Sequence, residues 1–223
     1  MAATSDMSGF YATSVGKKVA MAVTGFIVFG FVLVHMLGNL QIFLGPEKLN
    51  AYAALLKSVP AFLWAFRLVL VASAILHVVF ATQVTLQSWA ARPQGYAVRR
   101  FRETTYAART MVWGGPIIGL FVAYHLLHLT VGSAHPAFDA KDVYANVVRA
   151  FSDPLIAGIY IAAVSAVGVH LYHGLWSLLQ TLGVASPQWN PWRRVFAVVF
   201  AVVVTTGMLS VPVAVLCGCV GPV

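Results

Sequence analysis

The stretch GVHLYHGLW, Gly168–Trp176, places His170 and His173 three residues apart inside a long apolar run. From Pro154 to Gly183 there is no Asp, Glu, Lys or Arg. An apolar run of that length reads as a membrane-crossing helix. An imidazole buried in hydrocarbon costs free energy unless something binds it. The fold and the function therefore both turn on what these rings meet.

The rest of the chain has the same character. Of its 223 residues 60% are hydrophobic and only 9% are charged, against about 25% charged in an ordinary soluble domain. The expected fold class is an all-α integral membrane protein, a single membrane domain over 1–223. No N-terminal segment reads as a cleaved signal, because the first apolar run is too long for one. The net charge of +8 is a statement about topology, and no basic and aromatic surface suggests nucleic acid as a partner. The two cysteines, Cys217 and Cys219, cannot supply the four ligands of an iron–sulfur cluster. They also lack the C-x-x-C-H pattern of covalent haem attachment.

Five segments are long and apolar enough to span, at roughly 19–44, 61–86, 111–132, 155–182 and 195–216. The connectors carry the breakers, among them GPEK, ARPQG, SAHPAFDAKD and SPQWNPWRR. Lys17, Lys18, Arg92, Arg99, Arg100, Arg102, Arg109, Arg193 and Arg194 fall on one side. Lys48, Lys57, Arg67, Lys141 and Arg149 fall on the other, diluted by Glu47, Asp139, Asp142 and Asp153. The asymmetry predicts a cytoplasmic N-terminus and an external C-terminus. Trp89, Trp113, Trp189 and Trp192 lie near the cytoplasmic boundary, as an aromatic belt does.

Of the seven histidines, His135 lies in a polar connector and reads as a solvated loop residue. The other six lie in the first four spans: His35, His77, His125 with His128, and His170 with His173. Four bundled helices can project side chains into a shared interior, and two facing imidazole pairs would make two bis-histidine haem sites. Depth suggests the pairing. At ~1.5 Å rise per residue, His35 and His125 lie about 24 and 21 Å from the cytoplasmic ends of their spans, and His77 and His170 about 14 and 18 Å. His35 with His125 would form an outer site, and His77 with His170 an inner one. In HLLH and HLYH either histidine could point inward. The unused one would meet a haem propionate or a second ligand, or bond a water. Gly25, Gly30, Gly114, Gly115, Gly168 and Gly174 would let a flat macrocycle or another helix approach the backbone.

Three segments resemble a known family. They are SVGKKVAMAVTGFIVFGFVLVHMLGNLQIFLGPEKLNAYAALL, YAARTMVWGGPIIGLFVAYHLLHLT and HLYHGLWSLLQTLG. The chain from about Ser14 to Pro212 resembles the single-chain, five-helix, dihaem cytochrome b anchor subunit of succinate:quinone oxidoreductases (succinate dehydrogenase and fumarate reductase). The resemblance implies that His35 in LVHMLGN, His77 in AILHVV, His125 in VAYHLL and His170 in VGVHLYHGLW are the axial ligands of two b haems. It leaves His128 and His173 as residues around the haems. It also suggests that polar residues near the cytoplasmic boundary meet haem propionates, for which Arg109 and Gln180 are the candidates.

The implied role is that of an anchor and electron carrier in a bacterial inner membrane, with quinone, taken as menaquinone, as the substrate. The implied partners are a flavoprotein and an iron–sulfur subunit. This chain would have no succinate-oxidising site, since it carries no dinucleotide-binding glycine motif. A quinone site needs a proton donor, and the spans hold no acid. Gln41, His128 and Lys57 on the outer side, and Ser14 and Lys18 on the inner, are the candidates. Two other readings compete. One is the haem b subunit of a hydrogenase or formate dehydrogenase. The other is a haem-free transporter with a histidine relay.

Overall fold

The computed structural model describes residues 7–91, 94 and 104–222. Arg92, Arg99, Arg100 and Arg102, counted above toward the charge asymmetry, lie outside the described residues. Among the described residues the chain is helical and has no strand. A short helix α1 (Met7–Ala12) precedes α2 (Ser14–Asn39), which runs on into a 3₁₀ turn at Leu40–Leu44. Then come α3 (Pro46–Lys57), α4 (Pro60–Ala90) and α5 (Tyr106–Leu126), the last ending in a π turn at Leu127–Val131. The chain closes with α6 (Val143–Ser152), α7 (Pro154–Thr181) and α8 (Asn190–Leu216).

Five helices are long and apolar enough to cross a membrane: Ser14–Leu44, Pro60–Ala90, Tyr106–Val131, Pro154–Thr181 and Asn190–Leu216. Several start or end beyond the bounds expected from hydropathy. The hydrogen-bonded helix persists into the polar margin, where caps stop it. Thr13 caps α2 through the Gly16 N–H, Thr105 caps α5 through Ala108, and Asp153 caps α7 through Leu155 and Ile156.

The helices do not pack evenly. α2 lies closely along α4, and α7 lies along α8 and, less extensively, α5. The fifth span is thus part of the scaffold, packed on both α7 and α2. Neither α2 with α5 nor α4 with α7 is a closely packed pair. Small residues make the tight seams possible. At Gly168 an added Cβ would fall on the Thr205 hydroxyl of α8, and at Gly207 on the Met36 sulfur of α2. By contrast, Ser73 is the one buried residue recorded on α4, and Ala107 the one on α5. Both helices are apolar nearly throughout, so lipid or another apolar partner must cover them.

The densest core sits at one end of the bundle, where α3, α6 and the chain end close over α7 and α8. Ile42, Leu49, Val147, Val148, Phe151, Ala157, Val211 and Val220 pack together there. α3 and α6 were expected only as connectors. Each is a short amphipathic helix whose apolar side finds a partner only in the folded bundle. Polar bonds tie this α6 end together. Asn50 on α3 donates to Asp142 Oδ1 at 3.0 Å and accepts from the Tyr144 N–H at 3.1 Å. The Tyr144 hydroxyl donates to the Gly221 carbonyl at 3.0 Å. At the opposite end Arg193, 5% exposed, stacks 4.2 Å from the centre of the Trp176 ring and donates to the Val184 carbonyl at 2.9 Å. It pins the α7–α8 connector. Trp89, Trp113, Trp189 and Trp192 are all exposed.

Two predictions follow from the packing and the capping. Gly168→Val should destabilise the protein by about 1–3 kcal/mol through overpacking against Thr205, and Thr205→Ala should recover part of the loss in thermal unfolding in detergent. The Asp142 carboxyl is held below the usual range, first by the Ala145 N–H and then by the Asn50 amide. A carboxyl whose folded value lies below its unfolded one stabilises at neutral pH, and that contribution is lost as pH falls through the folded value. Protection of the α6 amides from hydrogen exchange should therefore fall on acidification, and Asp142→Asn should flatten that dependence.

Candidate functional site

Each of the four helices α2, α4, α5 and α7 turns a histidine toward a helix it does not pack closely. His35 on α2 meets His125 on α5, with ring centres 5.8 Å apart and planes at 85°. His77 on α4 meets His170 on α7, with centres 6.3 Å apart and planes at 67°. The structure thus brings together the two pairs that the depth estimate suggested. No hydrogen bond joins the rings within either pair among the described residues. An ion between two imidazoles, with metal–nitrogen bonds of about 2 Å, puts the ring centres about 6 Å apart. Among the described residues no three His, Cys, Asp or Glu side chains form a metal-binding group. A macrocycle that brings its own four nitrogens needs only two protein ligands, one on each face.

Three further observations bear on whether such a group fits. First, His77 Nδ1 lies 3.0 Å from the Met21 carbonyl. A carbonyl only accepts, so Nδ1 carries the proton and Nε2 presents its lone pair. Second, His125 Nδ1 and His170 Nδ1 are buried with no hydrogen-bond partner. His128 Nε2, outside the pairs, is left the same way, so these atoms mark rings whose hydrogen bonding the protein does not complete, and the facing geometry is what singles out the two pairs. Third, Gly25 on α2 gives His77 its place: an added Cβ would stand 3.0 Å from His77 Cε1 and 3.2 Å from Nδ1. From Gly25, at the level of the His77 pair, to His35 is ten residues, or about 15 Å along α2. The residues present fit two flat, bis-imidazole-held groups at two depths.

The remaining histidines are satisfied differently. His128, fully buried in the π turn, has Nδ1 3.0 Å from the Tyr160 hydroxyl. Its ring stacks between Tyr124 at 5.2 Å and His135 at 5.0 Å, while its Nε2 has no partner. The expectation that His135 is solvated is corrected: it is 6% exposed. Its Nε2 donates to the Asn146 carbonyl at 3.1 Å, and its Nδ1 accepts from the Ala137 N–H at 3.2 Å. The reason is the sharp exit from α5. Gly132 takes φ +86°, and an added Cβ there would strike the Phe138 ring. The connector therefore folds back over the helix end. His173 is half-buried, with Nε2 3.2 Å from the Ser177 hydroxyl. Within HLLH and HLYH the first histidine of each faces a histidine of another helix, and the second is bonded to a hydroxyl.

Arg109 and Gln180 are exposed, in the first turn of α5 and the last turn of α7. Gln180 is ten residues beyond His170, about 15 Å along the helix. Two residues with a part in the site carried no signal in the sequence. Tyr160 lies 5.9 Å from His125 and 5.8 Å from His128 by ring centres, bridging the two. Met21 contributes only its carbonyl, which any residue would supply.

No protein-family model, no curated protein and no solved structure matches this chain.

Tyr160→Phe would leave both nitrogens of the buried His128 unpaired. It should lower stability by about 1–3 kcal/mol, read as a lower unfolding midpoint. Adding His128→Leu should restore part of the loss, because the group left unsatisfied is then gone.

Proposed function

We propose that this chain is the membrane anchor and electron-transfer subunit of a succinate:quinone oxidoreductase. In this reading it holds two b haems, one between His35 and His125 and one between His77 and His170. The observation that carries the reading is the pair of cross-helix imidazole contacts, 5.8 and 6.3 Å between ring centres, each spanning a loosely packed helix pair. The likeness of the first, third and fourth spans to the dihaem anchor subunits supplies the identity of the group and of the complex. A bound b haem exchanges one electron at a time between its ferric and ferrous states, at a potential set by its ligands and burial.

The chain's own residues hold and orient. The Met21 carbonyl fixes the His77 tautomer and ring plane, as the outer partner of a metal-bound imidazole does. Gly25 lets that ring sit against α2. The apolar walls of α2, α4, α5 and α7 keep water out. The flavin and iron–sulfur chemistry belongs to partner subunits. Lys17, Lys18, Arg109, Arg193 and Arg194 gather at the end proposed to face the cytoplasm of a bacterial cell, where those partners would dock. With no acid in the spans, His128 and Lys57 at the α6 end, or Ser14 and Lys18 at the other, would serve quinone protonation.

The test is haem quantified per polypeptide, with reduced-minus-oxidised spectra, on protein purified from membranes. Two b haems per chain are expected. His35→Ala and His125→Ala should each lose the same chromophore, and His77→Ala and His170→Ala the other. Gly25→Val should perturb only the second. A colourless native preparation, or histidine variants that keep both spectra unchanged, would overturn the reading. A copurifying flavoprotein with an iron–sulfur protein separates it from a hydrogenase or formate dehydrogenase subunit.

A further inference from the structure

At the α6 end lies a cavity of about 480 Å³ between the end of α3, the first turns of α4, the π turn and the α5–α6 connector. Lys57 and Arg67 line it, with Asp139 as the one carboxylate and Thr130 beside them. Two cations against one anion leave one positive charge in surplus.

The partners of these groups are unequal. Lys57 Nζ donates to the Ala140 carbonyl at 2.7 Å, a bond that holds the ammonium in place without neutralising it. Asp139 Oδ1 accepts from the Lys141 N–H at 2.8 Å. The Asn146 side chain is committed, accepting from the Asp139 N–H at 2.9 Å and donating to the Asp139 carbonyl at 2.6 Å. The Arg67 guanidinium, half-buried within a membrane-spanning helix, has one recorded contact among the described residues, the Trp64 ring 5.2 Å from Cζ. Its five N–H donors have no acceptor there. A cation at membrane depth normally has a partner, because leaving it bare is costly. The Thr130 hydroxyl offers a further donor to the same space.

We propose that this cavity is an oxyanion site, in which Arg67 and Lys57 together hold one singly charged carboxylate or phosphate group. Arg supplies the planar, two-pronged recognition and Lys the point charge. Two sources of that chemistry are within reach. One is a propionate of the haem proposed between His35 and His125, and this source alone rests on the proposed function. Leu129, in the cavity wall, is one turn beyond His125. Phe66, next to Arg67, lies 5.9 Å from Phe31, whose ring stacks 5.2 Å from His35. The other source is the phosphate of a phospholipid in the adjoining leaflet, since Phe62, Leu68 and Val69 around Arg67 are exposed and apolar.

The experiment compares wild type with Arg67→Gln, Lys57→Gln and Arg67→Lys. The protein is purified from membranes with whatever subunits accompany it and exchanged into phosphatidylglycerol nanodiscs. Bound lipid is read by native mass spectrometry after release into detergent, and haem potentials by redox titration. If the source is lipid, retained phosphatidylglycerol falls roughly tenfold or more in Arg67→Gln, the size of a lost charge-assisted bond. Arg67→Lys keeps most of it, and the potentials stay. If the source is the propionate, lipid retention stays. The midpoint of the chromophore that His35→Ala removes then falls, because loss of a nearby cation favours the ferric form, while the other midpoint is unmoved. Unchanged lipid retention together with unchanged potentials in both glutamine variants overturns the site. A preparation without haem refutes the proposed function and leaves the lipid arm to decide. Should Arg67→Gln fail to fold, Lys57→Gln carries the same readouts from outside the span.

Discussion

An imidazole set in an apolar helix must find a partner, and this chain sets six of them on four helices. The structure divides them by how that demand is met. His128 and His173 reach hydroxyls, on Tyr160 and Ser177, and His135 in the connector reaches backbone groups at both nitrogens. His125 and His170 keep a buried nitrogen without any partner, as His128 does at Nε2, but their rings make no hydrogen bond among the described residues and each faces a histidine of another membrane-length helix. Each ring of the first group has at least one bond within the protein. The second faces partner rings across loosely packed helix pairs, and that geometry is the physical basis for the proposed haem ligation.

Packing density follows the same division. Where glycine permits close approach, as at Gly168 against Thr205, helices meet directly and need nothing between them. Where two imidazoles face each other, the helices stand apart, with the rings spanning the space. The structure is stiffened instead at the α6 end, by α3, α6 and the chain end closing over α7 and α8. A bundle fastened at one end and along two seams can hold flat groups between its other helix pairs without relying on those pairs for stability.

The same end concentrates the polar chemistry. The α5–α6 connector is held by bonds to Asn146, Arg149 and Lys57, so charged side chains stand at fixed places beside an apolar interior. Arg67 is the exception, charged and lacking a polar partner among the described residues. Its guanidinium donors are therefore free for the anion proposed above.

Several features were legible in the residues alone. Apolar runs of membrane length marked five helices, because burial in lipid is a property of composition. Helical rise placed the histidines in two layers, because depth along a straight helix is arithmetic. Which member of HLLH or HLYH faces inward was not legible, since residues three apart share a helix face and only neighbouring helices break the tie. Nor was the burial of His135, which depends on the turn at Gly132 folding a polar connector over the helix end. α3 and α6 were hidden for a related reason: a short amphipathic segment is helical only when another surface covers its apolar side. Sequence by itself determined the membrane-length apolar character, the number of such helices and the position of each ring along its helix, all of which are local or one-dimensional. Tertiary structure alone decided which rings meet, which nitrogens stay unsatisfied and where Arg67 is left exposed to a cavity, because those depend on the spacing between helices far apart in the chain.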